Sequence, residues 1–456
     1  MATRYLISTG SPITWTALAD DIWHSLADQA AGDAGGFADG VDDITITTGS
    51  ANLIVDLDVN PVALLCDTAG YGRQITVNVG RTMDVDGNCT LEWIDMLGGG
   101  DIECSGNWQM GASTTVADTL VVTLNGTGNV TDYVQNTGGL CAVNTAGTHT
   151  ATTGFACTTF TLTGGTYDDG GFAHNIAGAI SLTAGTLTST GIWTLNSGGA
   201  SNVTTNLGHK ITLVVASGST ANIGGVSYFN KFTVENGGDV TGATIRFGAS
   251  EAGWWGPQGG TVNTGMYVYE VITGPGNDIT LANQQMQVRT VLAATKTLTM
   301  DANIDLGTGV LYLRGSLDDP ASIMKLDMGG YSLDCGIVRI GTAEAAAGSG
   351  WIDFGSGIVS IASLAMGDNA NQSNQASFDA ATVNLTGIIS GNNQGTYPIT
   401  MNSAGANVHG GTITDATCTG ALHCWGVADG GNNSVDVMHE GSNAGAALGG
   451  MMQMVA

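Results

Sequence analysis

The sequence predicts an all-β fold, a right-handed parallel β-helix or β-solenoid body with a small N-terminal anchoring region. Three observations lead there. From about residue 50 to residue 400 the chain is a succession of short runs, such as Asn52–Val59, Arg73–Gly80, Lys210–Ser217 and Trp351–Gly357, in which apolar and polar residues alternate. Nearly every run ends in or beside Gly, Asn, Asp or Ser, and Gly supplies 71 of the 456 residues, against a usual share of about 7%. Finally, a four-residue strand cannot bury its own apolar face. Stacked on a similar strand about 4.8 Å away, it buries that face and satisfies its backbone. A sandwich or barrel would use seven to ten such strands in one or two hundred residues, so a run this long favours a solenoid.

The elements follow in order. Residues 1–50 form an anchor or cap. Within them, TWTALADDIWHSLADQAAG reads as a helix capped by Thr14 or Thr16, with Leu18, Ile22, Trp23 and Leu26 near one face and Gly32, Gly35 and Gly36 ending it. Strand alternation begins at GVDDITITTG, with Ile44 and Ile46 on one side. A first solenoid part spans 51–250 and a second 271–400, with coils of roughly 20–28 residues at a strand spacing of about 4.8 Å. Val and Thr suit the pleated surface, while Gly and Asn suit corners that need positive backbone angles. Between the two parts, residues 251–270 form an aromatic loop or junction. Its Trp254, Trp255, Tyr267 and Tyr269 are candidate ligand or interface residues: aromatic rings stack on sugar faces, and they also fill cores and subunit contacts. Residues 401–456 supply closing strands and a tail. The terminal GGMMQMVA is apolar, and Met451, Met452 and Met454 are candidate assembly contacts, since Met adapts to irregular surfaces.

Composition narrows the partners. The formal charge is −28, from 39 acids against 11 bases, and only Lys210, Lys231, Lys296 and Lys325 are lysines. Such a surface repels nucleic acid and anionic membranes. No stretch approaches the roughly 20 apolar residues of a membrane span, and the start lacks an apolar run of secretory length. Synthesis in the cytoplasm without a signal peptide is expected, with any release by lysis or as part of a particle. Eight cysteines are spread along the chain with no CxxC pair, which predicts buried free thiols rather than a disulfide framework.

The chain begins Met1-Ala2-Thr3-Arg4-Tyr5, and Asp42-Asp43 lead into the first strand. Near its end stands GGTITDATCTGALHCWGVADGGNNSVDV, with Ile413, Cys418, Trp425 and the turn Asp429 to Asn433. These two ends resemble a diffuse family of phage and prophage Gly/Thr-rich β-solenoid virion appendage proteins. Leu6 and Val435 depart from the family pattern, and the resemblance is compositional between the ends. It implies a bacteriophage virion structural protein, such as a capsid decoration, head fibre or tail fibre, assembled as a homo-trimer with other virion proteins. The motifs carry no catalytic residue.

Other chemistry was weighed. Paired acids in a groove cleave polysaccharide, and Asp42/Asp43, Asp168/Asp169 and Asp318/Asp319 are adjacent pairs; adjacent acids in Gly-rich turns read as solvated corners, so no enzyme is expected. Cys418, His423, Cys424 and His439 have ligand types for zinc, but adjacent residues of a strand face opposite ways, and no metal site is assigned. Asp-rich turns such as DANIDLG and VADGGNN invite calcium without the spacing of a known calcium loop. No cofactor is assigned. The alternative function is a receptor-binding adhesin or tailspike that recognises host surface glycan and serves host attachment.

Overall fold

The computed structural model describes residues 42–366 apart from 47–51, 68–72, 112–113, 118, 132–139, 144–146, 249–252 and 343–346, together with short strands before and after that span, the last at Ala428–Asp429. The described residues form an all-β, right-handed parallel β-solenoid. The chain divides into two compact units, Met1–Gly225 and Val226–Ala456. The aromatic stretch 251–270 lies inside the second. Rather than interrupting the pattern, it contributes strands Trp255–Gln258, Thr261–Val262 and Met266–Tyr269.

In the first unit, strand-to-strand register sets the coil length. Thr148 lies beside Thr166 and Leu64 beside Cys89, so a coil takes from 18 to 25 residues after the first, which runs 40 residues from Thr3 to Asp43. Inward positions stack into columns. One runs Ile44, Leu64, Cys89, Trp108 and Val130, and its neighbour runs Ile46, Cys66, Leu91 and Met110. All nine side chains are buried. Period-two alternation does this directly: every second residue points inward, and the parallel register places the inward residues of successive coils over one another. Filling such a column contributes roughly 1.5–3 kcal/mol per large aliphatic side chain.

Corners are held by side chains that copy the backbone ladder. Asn88 Oδ1 accepts from the Asn107 amide at 2.9 Å, and Asn107 Oδ1 accepts from the Asn129 amide at 2.8 Å. Each asparagine thus ties its turn to the coil that follows.

The second unit repeats the plan with wider coils. Ile304 lies beside Leu333, 29 residues on, and the spacing falls to 16 between Ala406 and Leu422. One column is Ile245, Met266, Met286, Leu311, Val338 and Leu364; the next is Phe229, Phe247, Val268, Val288, Leu313 and Ile340. Every member is fully buried. Turns here recur as Asp-x-Gly. Asp305, Asp327 and Asp353 each accept from the amide of the glycine two residues on, at 2.9–3.0 Å. Gly355 has φ +57°, and a Cβ there would collide with the Gly329 carbonyl of the preceding coil. It is a position that only glycine fills without strain.

The expected N-terminal helix gives way to strands. Ile13–Thr14 is a strand in parallel register with Leu53–Val55, and Trp23–His24 pairs antiparallel with Thr3–Leu6. Leu18 and Leu26 lie outside the described residues. The first coil presents an open row of backbone donors and acceptors, and pairing with that row outweighs the helical spacing of a few apolar residues. The segment Ala362–Met366 completes the strand Ile358–Met366.

Gly355→Ala should lower stability by at least about 1–2 kcal/mol, the cost of a left-handed backbone for a residue with a Cβ, with more added by the carbonyl collision. Chemical denaturation followed by circular dichroism measures it.

Candidate functional site

The chemically capable residues of the first unit are drawn into packing. Strand Thr166–Asp168 turns at Asp168-Asp169, and the two carboxylates part company there. Asp168 faces out and accepts from the Gly170 amide at 2.9 Å. Asp169 is fully buried. It accepts from the Gly171 and Thr190 amides at 2.9 and 3.1 Å, the Gly191 amide, Ser189 Oγ, and Trp193 Nε1 at 3.2 Å. These donors hold its carboxyl below the usual carboxylate range against the opposing effect of burial. The expectation of a solvated corner fails for Asp169, because the turn that follows it and the corner of the next coil together leave five donors that need an internal acceptor. Asp42 is likewise buried, whereas Asp319 caps the Ala321 amide at 2.9 Å.

Beside Asp169 lies an aromatic knot. The His174 ring sits 4.2 Å from Phe155 and 4.8 Å from Trp193, centroid to centroid. The Phe155 amide donates to His174 Nδ1 at 3.4 Å, and Nε2 is buried with no hydrogen-bond partner. Burial pushes the His174 pKa down to about 4, with Asp169 opposing. His149 is buried one coil earlier, opposite Tyr167, and its pKa is lowered by the same desolvation.

Of the four aromatic residues singled out in the second unit, the structure separates two from two. Trp254 and Trp255 are interior, 1% and 0% exposed. Trp255 opens the strand Trp255–Gln258, and Trp254 stands just before it, outside the strand's in–out alternation, so two consecutive residues point inward. Their rings pack on Phe247 at 4.6 and 5.9 Å, and Trp254 Nε1 donates to the Thr273 carbonyl at 3.0 Å. Tyr267 and Tyr269 lie on the strand face opposite the inward Met266 and Val268, where Tyr267 is half-buried and Tyr269 is only 9% exposed. The structure brings arginines to them that the sequence reading did not single out. In register, Tyr228, Arg246, Tyr267, Gln287, Tyr312 and Arg339 form one outward column. Tyr269, Arg289 and Arg314 form the column beside it. Arg289 lies over the Tyr269 ring at 4.1 Å, Arg246 over Tyr267 at 5.5 Å, and Tyr312 lies 5.9 Å from both Arg314 and Arg339. Burial raises the Tyr269 phenol, opposed by Arg289 and Arg246. The signal was present in the sequence, as Tyr or Arg on strands whose registers were not yet known.

A shallow cleft of about 400 Å³ lies elsewhere in this unit, lined by Asp278, Thr280, Asp305, Asp334 and Ser360 among others. Asp305 and Asp334 are in register on adjacent coils and both exposed. No group of three or more metal-ligating side chains is clustered among the described residues, and no helix there is long and apolar enough to cross a membrane. Strands Thr417–Cys418 and Leu422–Trp425 are placed. The side chains of Cys418, His423 and Cys424 lie outside the described residues, as do His439, Met451, Met452 and Met454 altogether. Five cysteines, Cys66, Cys89, Cys104, Cys157 and Cys335, are free and buried, as expected. Burial raises the thiols of Cys104 and Cys335 to about 11 and about 12.

Comparison with protein-family models, with curated proteins and with solved structures finds no match to the chain.

Two outcomes are expected. Thiol-reactive reagents at neutral pH should leave these five cysteines unmodified in the native protein and label them after denaturation, as read by peptide mass spectrometry. Stability should also fall as pH drops from about 6.5 to about 4. Over that window the unfolded chain takes up a proton on His174 that the folded chain refuses, at a cost on the order of 3 kcal/mol. Below pH 4, loss of the Asp169 carboxylate adds to it. Unfolding midpoints measured across this range should flatten between pH 6.5 and 4 in His174→Phe.

Proposed function

We propose that the chain is a non-enzymatic structural protein of a bacteriophage virion, a capsid decoration, head fibre or tail fibre, released from the host as part of the particle. One observation carries the structural reading. Side chains able to do chemistry are committed to packing and turns: Asp169 to a buried donor set, His174 to an aromatic knot, the described thiols and Trp254 and Trp255 to the interior, and Asp305, Asp327 and Asp353 to turn amides. A body of this kind works as a spacer and scaffold, its coils stabilised by their neighbours. The virion assignment rests on the resemblance of the two ends, Met1–Tyr5 and Ile413–Asn433, to phage solenoid appendages.

A second reading, an adhesin for host surface glycan, is favoured by the half-buried Tyr228, Tyr267 and Tyr312, aromatic rings set beside arginines on the face away from the inward columns.

Purified particles from a lysate containing this chain should carry it in many copies, as measured by quantitative peptide mass spectrometry. Its absence from intact particles would overturn the virion assignment. In particles lacking the chain, unchanged adsorption to host cells is expected for a decoration role, and lost adsorption would promote the adhesin.

A further inference from the structure

Two histidines of the first unit are sealed inside it on adjacent coils. His149, on strand Thr148–Ala151, is fully buried, and neither of its ring nitrogens has a hydrogen-bond partner. The next coil places Tyr167 in register with it. His174, on strand His174–Ile176, is buried in the same packing, its ring centroid 6.4 Å from that of Tyr167.

The closed packing has no place for a second proton on either ring. Nδ1 of His174 accepts from the Phe155 amide at 3.4 Å, so the neutral ring carries its proton on Nε2, which is buried without an acceptor. A second proton must go to Nδ1, where it would meet the Phe155 N–H head-on. Phe155 has to move first, yet its ring stacks on Phe160 at 5.4 Å and meets Trp193 edge-on at 6.1 Å. On His149 a second proton adds one more donor where both nitrogens already lack partners. Burying an unpaired charge costs far more than burying a neutral ring.

Few titratable groups face the two rings. Asp169 faces His174 and opposes the effect of burial, but its carboxylate already accepts from five donors. Tyr167 faces both rings, and Cys157 lies on the strand paired with that of His174. Strand Gly128–Thr131, paired with that of His149 on the other side, carries no titratable side chain. No Lys or Arg occurs between Arg81 and Lys210. His209 is different, since both its nitrogens are bonded, to Asn206 Oδ1 at 2.6 Å and to the Gly185 carbonyl at 2.8 Å.

We infer that His149 and His174 form an acid-operated latch: when both take up a proton, the coils from Thr148 to Leu195 open while the rest of the chain stays closed, and the buried thiol of Cys157 becomes accessible. Coils are held by their nearest neighbours, so opening can stay within those that carry the two rings. In the open coils both rings regain water and titrate as ordinary histidines near about pH 6.5. Opening therefore takes up two protons, and it is favoured as pH falls below that value.

The test is the rate at which dithiodipyridine, a disulfide that reacts with thiols in acid, labels each cysteine of the full-length protein. Rates are read by peptide mass spectrometry at about pH 6 and about pH 5, each normalised to the denatured protein at the same pH. Labelling of Cys157 should rise about fiftyfold between the two, about sevenfold in His149→Phe or His174→Phe, and not at all in the double variant. Cys66, Cys89, Cys104 and Cys335, which lie on other coils, should keep their rates. If His149→Phe does not fold, His149→Leu carries the same expectation. A flat Cys157 rate in the wild type, or a single variant that keeps the full wild-type rise, would overturn the latch. So would a joint rise of all five cysteines, which reports global unfolding.

Discussion

Every feature of this protein depends on parallel in-register pairing between successive coils. A strand of three to five residues has no stability of its own. It gains its backbone partners from the coil before and the coil after, and its side chains gain a dry environment only when the coil above repeats the same inward positions. This constraint explains why columns such as Ile245 to Leu364 stay apolar through six coils while the outward positions beside them vary freely. It also explains where polar side chains go. Asn88 and Asn107 extend the ladder at a corner, and Asp169 supplies an acceptor for five donors from its own turn and the next coil's corner.

The same constraint makes outward chemistry periodic. Once registers are fixed, any residue placed outward on one coil lies about 4.8 Å from its counterpart on the next. Stacking like charges in such a column is unfavourable. Tyrosines and a glutamine separate Arg246 from Arg339 in one column, whereas Arg289 stacks directly on Arg314 in the next, and Asp305 on Asp334 elsewhere in the unit.

Much of this was legible in the sequence. Alternation in WIDFGSG and KITLVVAS fixes strand and face without ambiguity, and the Asp-x-Gly signatures mark turns that the structure places at Asp305, Asp327 and Asp353. What was not legible depends on register. The sequence shows Arg246, Arg289 and Arg339 as isolated bases 43 and 50 residues apart; only coil lengths that vary from 18 to 29 residues bring them onto one face. Likewise the sequence leaves Trp254 and Trp255 open to either a packed or a ligand-facing role, because a corner that turns two neighbours inward leaves no periodic mark. The N-terminal segment misleads for another reason: its helical spacing at Ile22 and Trp23 is outweighed by an open ladder edge that composition cannot reveal.

The most direct measurement is a cryo-EM reconstruction of the particle that carries this chain, at a resolution that separates coils. The account requires this chain on the particle as a continuous stack of coils about 4.8 Å apart, with columns such as Ile245 to Leu364 facing inward. Particles without such density, or strands that do not pair parallel from coil to coil, would contradict it.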